Sequence, residues 1–436
     1  MLQRGDKKLI NAWAFYDWAN SVYSLVIATA VFPIYYTGIT TSLADMEGKI
    51  RFLGTAWTPT SLYNYTLAIS FLIVAFTSPV LSGIADYTGN KLKFLKFFCA
   101  MGSLSVMSLF FFEDIDSLWI GIIATIFAGV GFWGSIVFYN AYLPEVAFPE
   151  QQDKVSAKGF IYGYLGSVLL LIINLILIQK PDWFGITSAT LPARISFLSV
   201  GLWWIGFAQI TFRRLPNNVY NKKPESDYIW KGFRELKIVF QSLSSQPRLK
   251  IFLISFFLFS VGVQTIILMA GVFGSEELGL PTLNLIITIL LVQLVAVLGA
   301  YFFSRLSSNL GNLTTLKITI AIWTIVCFIA FTLDRDQENI DLYFYTLGGL
   351  IGLVLGAIQS LSRSTYSKLL PDTEDHATYF SFYDVSEKIA IVLGMILFGV
   401  LTSLTKSMQW SVLFLAIFFL ASFIVLSFVK KTRYVT

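Results

Sequence analysis

Twelve times along its 436 residues the sequence runs for ~20 positions with almost no charge, the length an α-helix needs to cross a bilayer. The runs cover roughly 12–37, 60–84, 92–112, 117–142, 157–178 and 193–212, then 249–273, 283–304, 313–333, 341–365, 379–403 and 408–429. None has the period-2 alternation of a barrel strand, so the segments are read as helices. A soluble alternative fails on composition. Only 13% of the residues are charged, about half the soluble norm, which is too little to cover a water-exposed surface of this size. The expected fold class is therefore an all-α membrane protein of twelve transmembrane helices.

Orientation follows from where the bases fall. With both termini in the cytoplasm, 24 of the 31 Lys and Arg lie on the cytoplasmic side and six outside, with Lys388 inside the eleventh run. That bias is the positive-inside rule. The longest polar stretch sits between the sixth and seventh runs. It divides the chain into a six-span bundle (1–212), a cytoplasmic central loop (213–248) and a second six-span bundle (249–436). Within the loop, Ile229, Phe233, Leu236, Phe240 and Leu243 share one helical face, with Lys231, Arg234, Glu235 and Lys237 on or near the other, as in a helix lying on the inner membrane surface. Short loops and no organelle-targeting extension point to a bacterial inner membrane. The expected partners are the lipid bilayer and a small-molecule substrate, with no nucleic acid and a monomer as the working unit.

Several chemistries lack their residues. Cys99 and Cys327 are far apart in apolar runs and form neither a disulfide framework nor a metal spacing. The single histidine, His376, stands in a polar loop beside Asp375. There is no His-Glu-x-x-His and no phosphate-binding Gly-Lys-Ser/Thr loop, which argues against a metalloenzyme and an ATP-driven pump, and no cofactor is expected. The halves share weak internal similarity. The segment from Ser82 to Asn90 after the second run matches that from Ser304 to Asn312 after the eighth, both ending in Gly-Asn. Tyr142-Leu143-Pro144-Glu145 after the fourth run parallels Leu369-Leu370-Pro371-Asp372 after the tenth. Two six-span repeats with a site between them is a common transporter plan.

Six plus six spans, a basic central loop and the turn Gly83-Ile84-Ala85-Asp86-Tyr87-Thr88-Gly89-Asn90-Lys91 resemble the major facilitator superfamily. The bases usual after the Asp and after the second Gly are replaced by Tyr87 and Asn90, with one kept at Lys91. A narrower resemblance rests on Trp13-Ala14-Phe15-Tyr16-Asp17-Trp18-Ala19-Asn20-Ser21, which is similar to the first-span signature of the vacuole-effluxer-like branch, related to an autophagy-linked amino-acid exporter. Tyr139-Asn140-Ala141-Tyr142-Leu143-Pro144-Glu145, Gly163-Tyr164-Leu165-Gly166, Gln359 to Ser364 and Phe382 to Lys388 are similar to that branch as well. The resemblance implies two pseudo-symmetric six-helix bundles that move an amino acid or similar small solute by secondary transport. A lipid- or peptidoglycan-fragment transporter of the same fold is the alternative, and an integral membrane enzyme a remote one.

An ionisable group at mid-membrane costs ~2.5–3.5 kcal/mol on insertion scales, so each one needs a reason. Asp17, between Trp13 and Trp18 and on a face continued by Asn20 or Ser21 and then Ser24, is either a structural carboxylate or the site of a coupling proton and substrate contact. Arg363, a turn from Gln359, either snorkels to the interface or pairs with an acid, or it reads a substrate carboxylate with its planar fork. Gly348, Gly352 and Gly356 form a small-residue stripe that lets helices approach closely. Asp384 and Lys388 are spaced to pair along one helix, or to join Asp86 and Arg363 in an inner gate. Gly89 permits the tight turn beside Asp86. Glu145 and Lys158 are candidates for the opposite seam. In the superfamily spans one, four, seven and ten line the cavity, which implicates Tyr139, Asn140, Gln264 and Gln359 with Asn20 and Asp17.

Overall fold

The computed structural model describes residues 3–42, 44–216 and 228–429. Its membrane-length helices are Lys7–Ser42, Pro59–Thr88, Lys91–Phe111, Leu118–Val146, Gln152–Gln179 and Leu191–Phe212, then Pro247–Glu277, Thr282–Leu310, Asn312–Thr332, Ile340–Leu369, His376–Thr405 and Met408–Ser427. They are called the first to twelfth spans. The all-α architecture of two pseudo-symmetric six-helix bundles is as expected. Most helices overrun the apolar runs by a few residues, because a helix continues through polar residues at its ends. The fifth span, for instance, starts at Gln152 rather than near 157.

Local chemistry sets the ends. Thr58 caps the second span by accepting from Ser61 N, and Pro59 opens it, where its missing N–H is not needed. Gly89 closes it at φ 67°, a left-handed conformation that glycine adopts without a Cβ clash. The first span widens to a π-helix over Tyr23–Val31. The first far-side loop holds a feature too short to register as a run: a hairpin of Ile50–Phe52 against Thr55–Trp57. Leu53 and Gly54 both have positive φ at its turn, matching the twist of the paired strands.

Because lipid tails give no hydrophobic drive between helices, packing depends on close fit. A Cβ on Gly356 would lie 2.0 Å from the carbonyl oxygen of Ala296, and one on Gly352 2.4 Å from that of Val292. The expected stripe on the tenth span is thus the surface on which the eighth span lies. Trp13, Trp204 and Trp323 are fully buried, while Phe76, Leu298 and Ile396 are exposed on the outer surface, the arrangement lipid permits.

The central helix, Tyr228–Ser245, packs against the second span. Val239 is buried, Ser242 Oγ is 2.9 Å from Tyr379 Oη, and the Phe240 ring, though exposed, neighbours Phe382. Leu243 packs against the same core as Val239. The side chains of Ile229, Lys231, Phe233, Glu235 and Leu236, and residues Lys222, Lys223, Lys430, Lys431 and Arg433, lie outside what is described.

Candidate functional site

Arg363 anchors the site. It enters from the tenth span, about 9 Å from that helix's end at 1.5 Å per residue. Its Nη1 and Nη2 each donate to Asp17 Oδ2 of the first span at 3.3 Å, and Nη1 also donates to Asn140 Oδ1 of the fourth at 3.2 Å. Nε donates to Ser156 Oγ at 2.9 Å and Nη2 to Ser156 O at 2.8 Å, both in the fifth span. Tyr139 Oη donates to the same Asp17 oxygen at 2.8 Å. The guanidinium lies 4.2 Å from the ring centre of Phe160 and 4.9 Å from that of Trp13. Four spans therefore converge on one buried ion pair, Asp17 being 7% and Arg363 3% exposed. Ser156 and Phe160 are not among the residues expected from the sequence. Their sequence signal is Gly159, four residues before Gly163: a Cβ there would lie 2.4 Å from Asp17 Oδ2 and 2.9 Å from Arg363 Nη2.

Asp86 serves the second junction. Its carboxylate accepts from Ala377 N at 3.2 Å, Thr378 N at 2.7 Å and Thr378 Oγ1 at 2.9 Å, so it caps the N-terminus of the eleventh span from the other half of the chain. Lys91 Nζ is 3.3 Å from Asp86 Oδ1 and also contacts Glu145, whose Oε1 is 3.2 Å from His376 Nδ1. Glu145 therefore belongs to the Asp86 seam rather than the opposite one. Lys158 instead donates to Asn11 at 2.6 Å, within its own half. His376, expected in a loop, is the first residue of the eleventh span.

A third junction centres on Asp153, outside the residues the sequence marks. Asp153 accepts from Lys368 Nζ at 2.8 Å, Ser307 Oγ at 3.0 Å and Asn312 Nδ2 at 2.7 Å. It joins the start of the fifth span to the eighth, ninth and tenth. The internal repeat marked this place: Ser307 and Asn312 lie in the segment that matches the Asp86 turn.

Asp384 and Lys388 do pair along the eleventh span, at 2.9 Å, and Glu387 Oε2 is 3.2 Å from the same ammonium. Gln264 Nε2 of the seventh span donates to Glu387 Oε1 at 2.7 Å. Lys388 Nζ also lies 3.6 Å from the ring centre of Trp133 in the fourth span. The expected single gate of Asp86, Arg363, Asp384 and Lys388 is thus three separate clusters, because the eleventh span carries Asp384 and Lys388 more than a turn beyond the end that Asp86 caps. The expected cavity set also divides. Tyr139 and Asn140 join Arg363, Gln264 joins Glu387, and Gln359 accepts from Tyr164 Oη at 2.6 Å. Asn20 is buried, with Ser21 Oγ 3.4 Å from its Oδ1 and no partner for its Nδ2 among the described residues.

All these junctions between the halves lie toward one end of the bundle, where the first span begins and the twelfth ends. The hydrogen bond farthest in is Tyr164–Gln359, about 15–18 Å along its helices. Among the described residues, no hydrogen bond joins the two halves at the far end. No group of three His, Cys, Asp or Glu there or elsewhere among those residues is arranged to hold a metal ion.

Twelve spans in two bundles, bridged by polar clusters at one end, is the architecture of major facilitator transporters, and solved structures agree. A proton:xylose symporter aligns with TM-score 0.73 at 13% identity over 98% of this chain and 97% of its own. A fucose transporter in the outward conformation aligns at 0.68 and 12% identity, each chain covered to 98%. Within that class, the chain belongs to the family described as vacuole effluxer Atg22 like, which it matches over residues 5–435. It is 34% identical over 424 residues to the MFS-type transporter YxiO of Bacillus subtilis, covering 97% of this chain and 94% of that one. It is 25% identical to autophagy-related protein 22 of Eremothecium gossypii, covering 82% and 75%. The protein is a membrane transporter.

Proposed function

We propose that the protein carries a small zwitterionic solute, an amino acid or close relative, out of the cytoplasm by alternating access, as a monomer in a bacterial inner membrane with both termini cytoplasmic. The observation that carries this reading is the Arg363 fork, buried where four spans meet and filled by an internal carboxylate. A guanidinium holds carboxylates through paired N–H donors, so the site suits a solute that brings its own. In the state described, Asp17 occupies the fork and the cytoplasmic end is shut. A solute carboxylate competing for Arg363, or a proton arriving on Asp17, weakens the tie between the first and tenth spans and favours the opposite state. Tyr139 and Asn140 stand in reach of the same solute, with Asn20, Gln264 and Gln359 as further polar contacts. Asp86, Gly89, Glu145, Asp384 and Lys388 act as gating residues around them. The family description names an effluxer, which supports the direction.

Counterflow in proteoliposomes tests this. Vesicles loaded with mixed amino acids are exposed to labelled amino acids singly, with and without a proton gradient, beside empty liposomes and Asp17→Asn. Accumulation above empty vesicles, lost in the mutant, is expected. Folded protein that accumulates no amino acid would sink the amino-acid reading and turn the search to peptidoglycan fragments and lipids.

A further inference from the structure

The eleventh-span cluster has a property the Arg363 site lacks: its charges do not cancel. Asp384, Glu387 and Lys388 carry a net charge of −1 when all are ionised, about 12–18 Å along a membrane-spanning helix. Among the described residues, nothing nearby supplies the missing positive charge; the central helix meets the eleventh span through Phe240 and Phe382, and its Arg234 and Lys237 are exposed. Of the spans packed around it, the seventh presents Gln264 and the fourth Trp133, neither of which titrates. The tenth brings Tyr366 against Tyr383, and its Arg363 is committed to Asp17. The only charged residue of the second span, Asp86, sits on the helix start with Lys91, and the twelfth span has none. The oxygens are unevenly served too. Glu387 Oε1 takes Gln264 and Oε2 takes Lys388, whereas Asp384 Oδ1 takes Lys388 and Oδ2, fully buried, has no partner among the described residues. A bare ionised oxygen in apolar surroundings is an expensive arrangement.

We propose that Asp384, backed by Glu387 and Lys388, binds one exchangeable proton, and that this proton couples transport to a proton gradient. This rests on the carrier reading above. One proton from the aqueous side forms an O–H bond at Asp384 Oδ2, brings the cluster to zero charge and leaves as H⁺ to the other side. A metal ion fits poorly, since it would find a single unshared oxygen beside an ammonium 2.9 Å from the same carboxylate. The contact of Lys388 with Trp133 places the cluster against the other half, where its charge bears on how the halves meet. The proton-loaded cluster is neutral and can be enclosed on both sides, while the unloaded one carries a charge that favours access to water.

The test uses the full-length protein in liposomes. Infrared difference spectra across a pH titration should show a protonated-carboxyl band in the wild type that is lost in Asp384→Asn and moved in Glu387→Gln. Each variant still pairs Lys388 with one acid, so both should fold. In transport, Asp384→Asn should lose the stimulation of uptake by a pH gradient, read as the ratio of uptake with the gradient to uptake without it. A band unchanged in both variants, pH-driven accumulation surviving Asp384→Asn, or accumulation that follows Na⁺ instead would overturn the proposal. A titrating band in protein that transports no amino acid would leave the proton site standing and remove only the solute assignment.

Discussion

The two ends of the bundle are held by different means. At the end bearing the first span's start, the Asp17–Arg363 pair, the Asp86 cap and the Asp153 cluster all cross from one half to the other. At the far end the polar contacts stay inside a half. Glu277 accepts from Ser407 Oγ at 2.9 Å and Met408 N at 3.0 Å within the second half, and Arg194 meets Glu113 at 2.8 Å within the first. Bonds within a half stabilise that half in any state of the carrier. Bonds between halves stabilise one state alone. The difference teaches which residues set the conformational equilibrium and which set only the fold.

A cysteine in place of Ser367 would report opening, since that residue is buried at the bonded end and its hydroxyl has no partner among the described residues. Arg363→Met should have the largest effect. It strands the Asp17 carboxylate, and breaking a buried pair typically costs about 3–5 kcal/mol. Labelling of the cysteine should accelerate strongly, and adding Asp17→Asn should recover part of the loss. If Arg363→Met alone leaves labelling unchanged, the pair does not hold the end shut. Asp153→Asn comes next, because it weakens one ion pair and two hydrogen bonds at once, with charged hydrogen bonds worth about 1.5–3 kcal/mol each. Asp86→Asn should act the same way but less, because asparagine still accepts at the helix start and chiefly the ion pair with Lys91 is lost. Glu277→Gln is the sharpest contrast. Thermal unfolding in detergent should shift by about 1 kcal/mol or less, and cysteine labelling should stay at the wild-type rate. Faster labelling in that variant would abolish the distinction between the ends.

The spans and the ionisable residues within them were legible because each announces itself locally, by an apolar run or by a charge inside one. Asp17 and Arg363 could be picked out singly in this way. That they are each other's partner depends on the first and tenth spans meeting, and nothing within either run encodes that. Asp153 escaped for another reason. It lies just before the apolar run at 157–178, where a charge is ordinary, and only the helical extension to Gln152 brings it into the interior. Glu145 was assigned to the wrong seam because its short helix, Leu143–Val146, folds back under the bundle toward His376.

The Asp86 cap has a consequence for how such a chain is made. Asp375, the residue preceding the eleventh helix, gives that helix no side-chain cap, and the carboxylate that finishes its first turn was synthesised 291 residues before Ala377. Because synthesis runs from the N-terminus, the acceptor is made well before the helix it caps. Biogenesis then has a built-in order, in which the earlier half serves as a template for seating the later one. Halves expressed as separate polypeptides would have to find each other before this helix could complete its start.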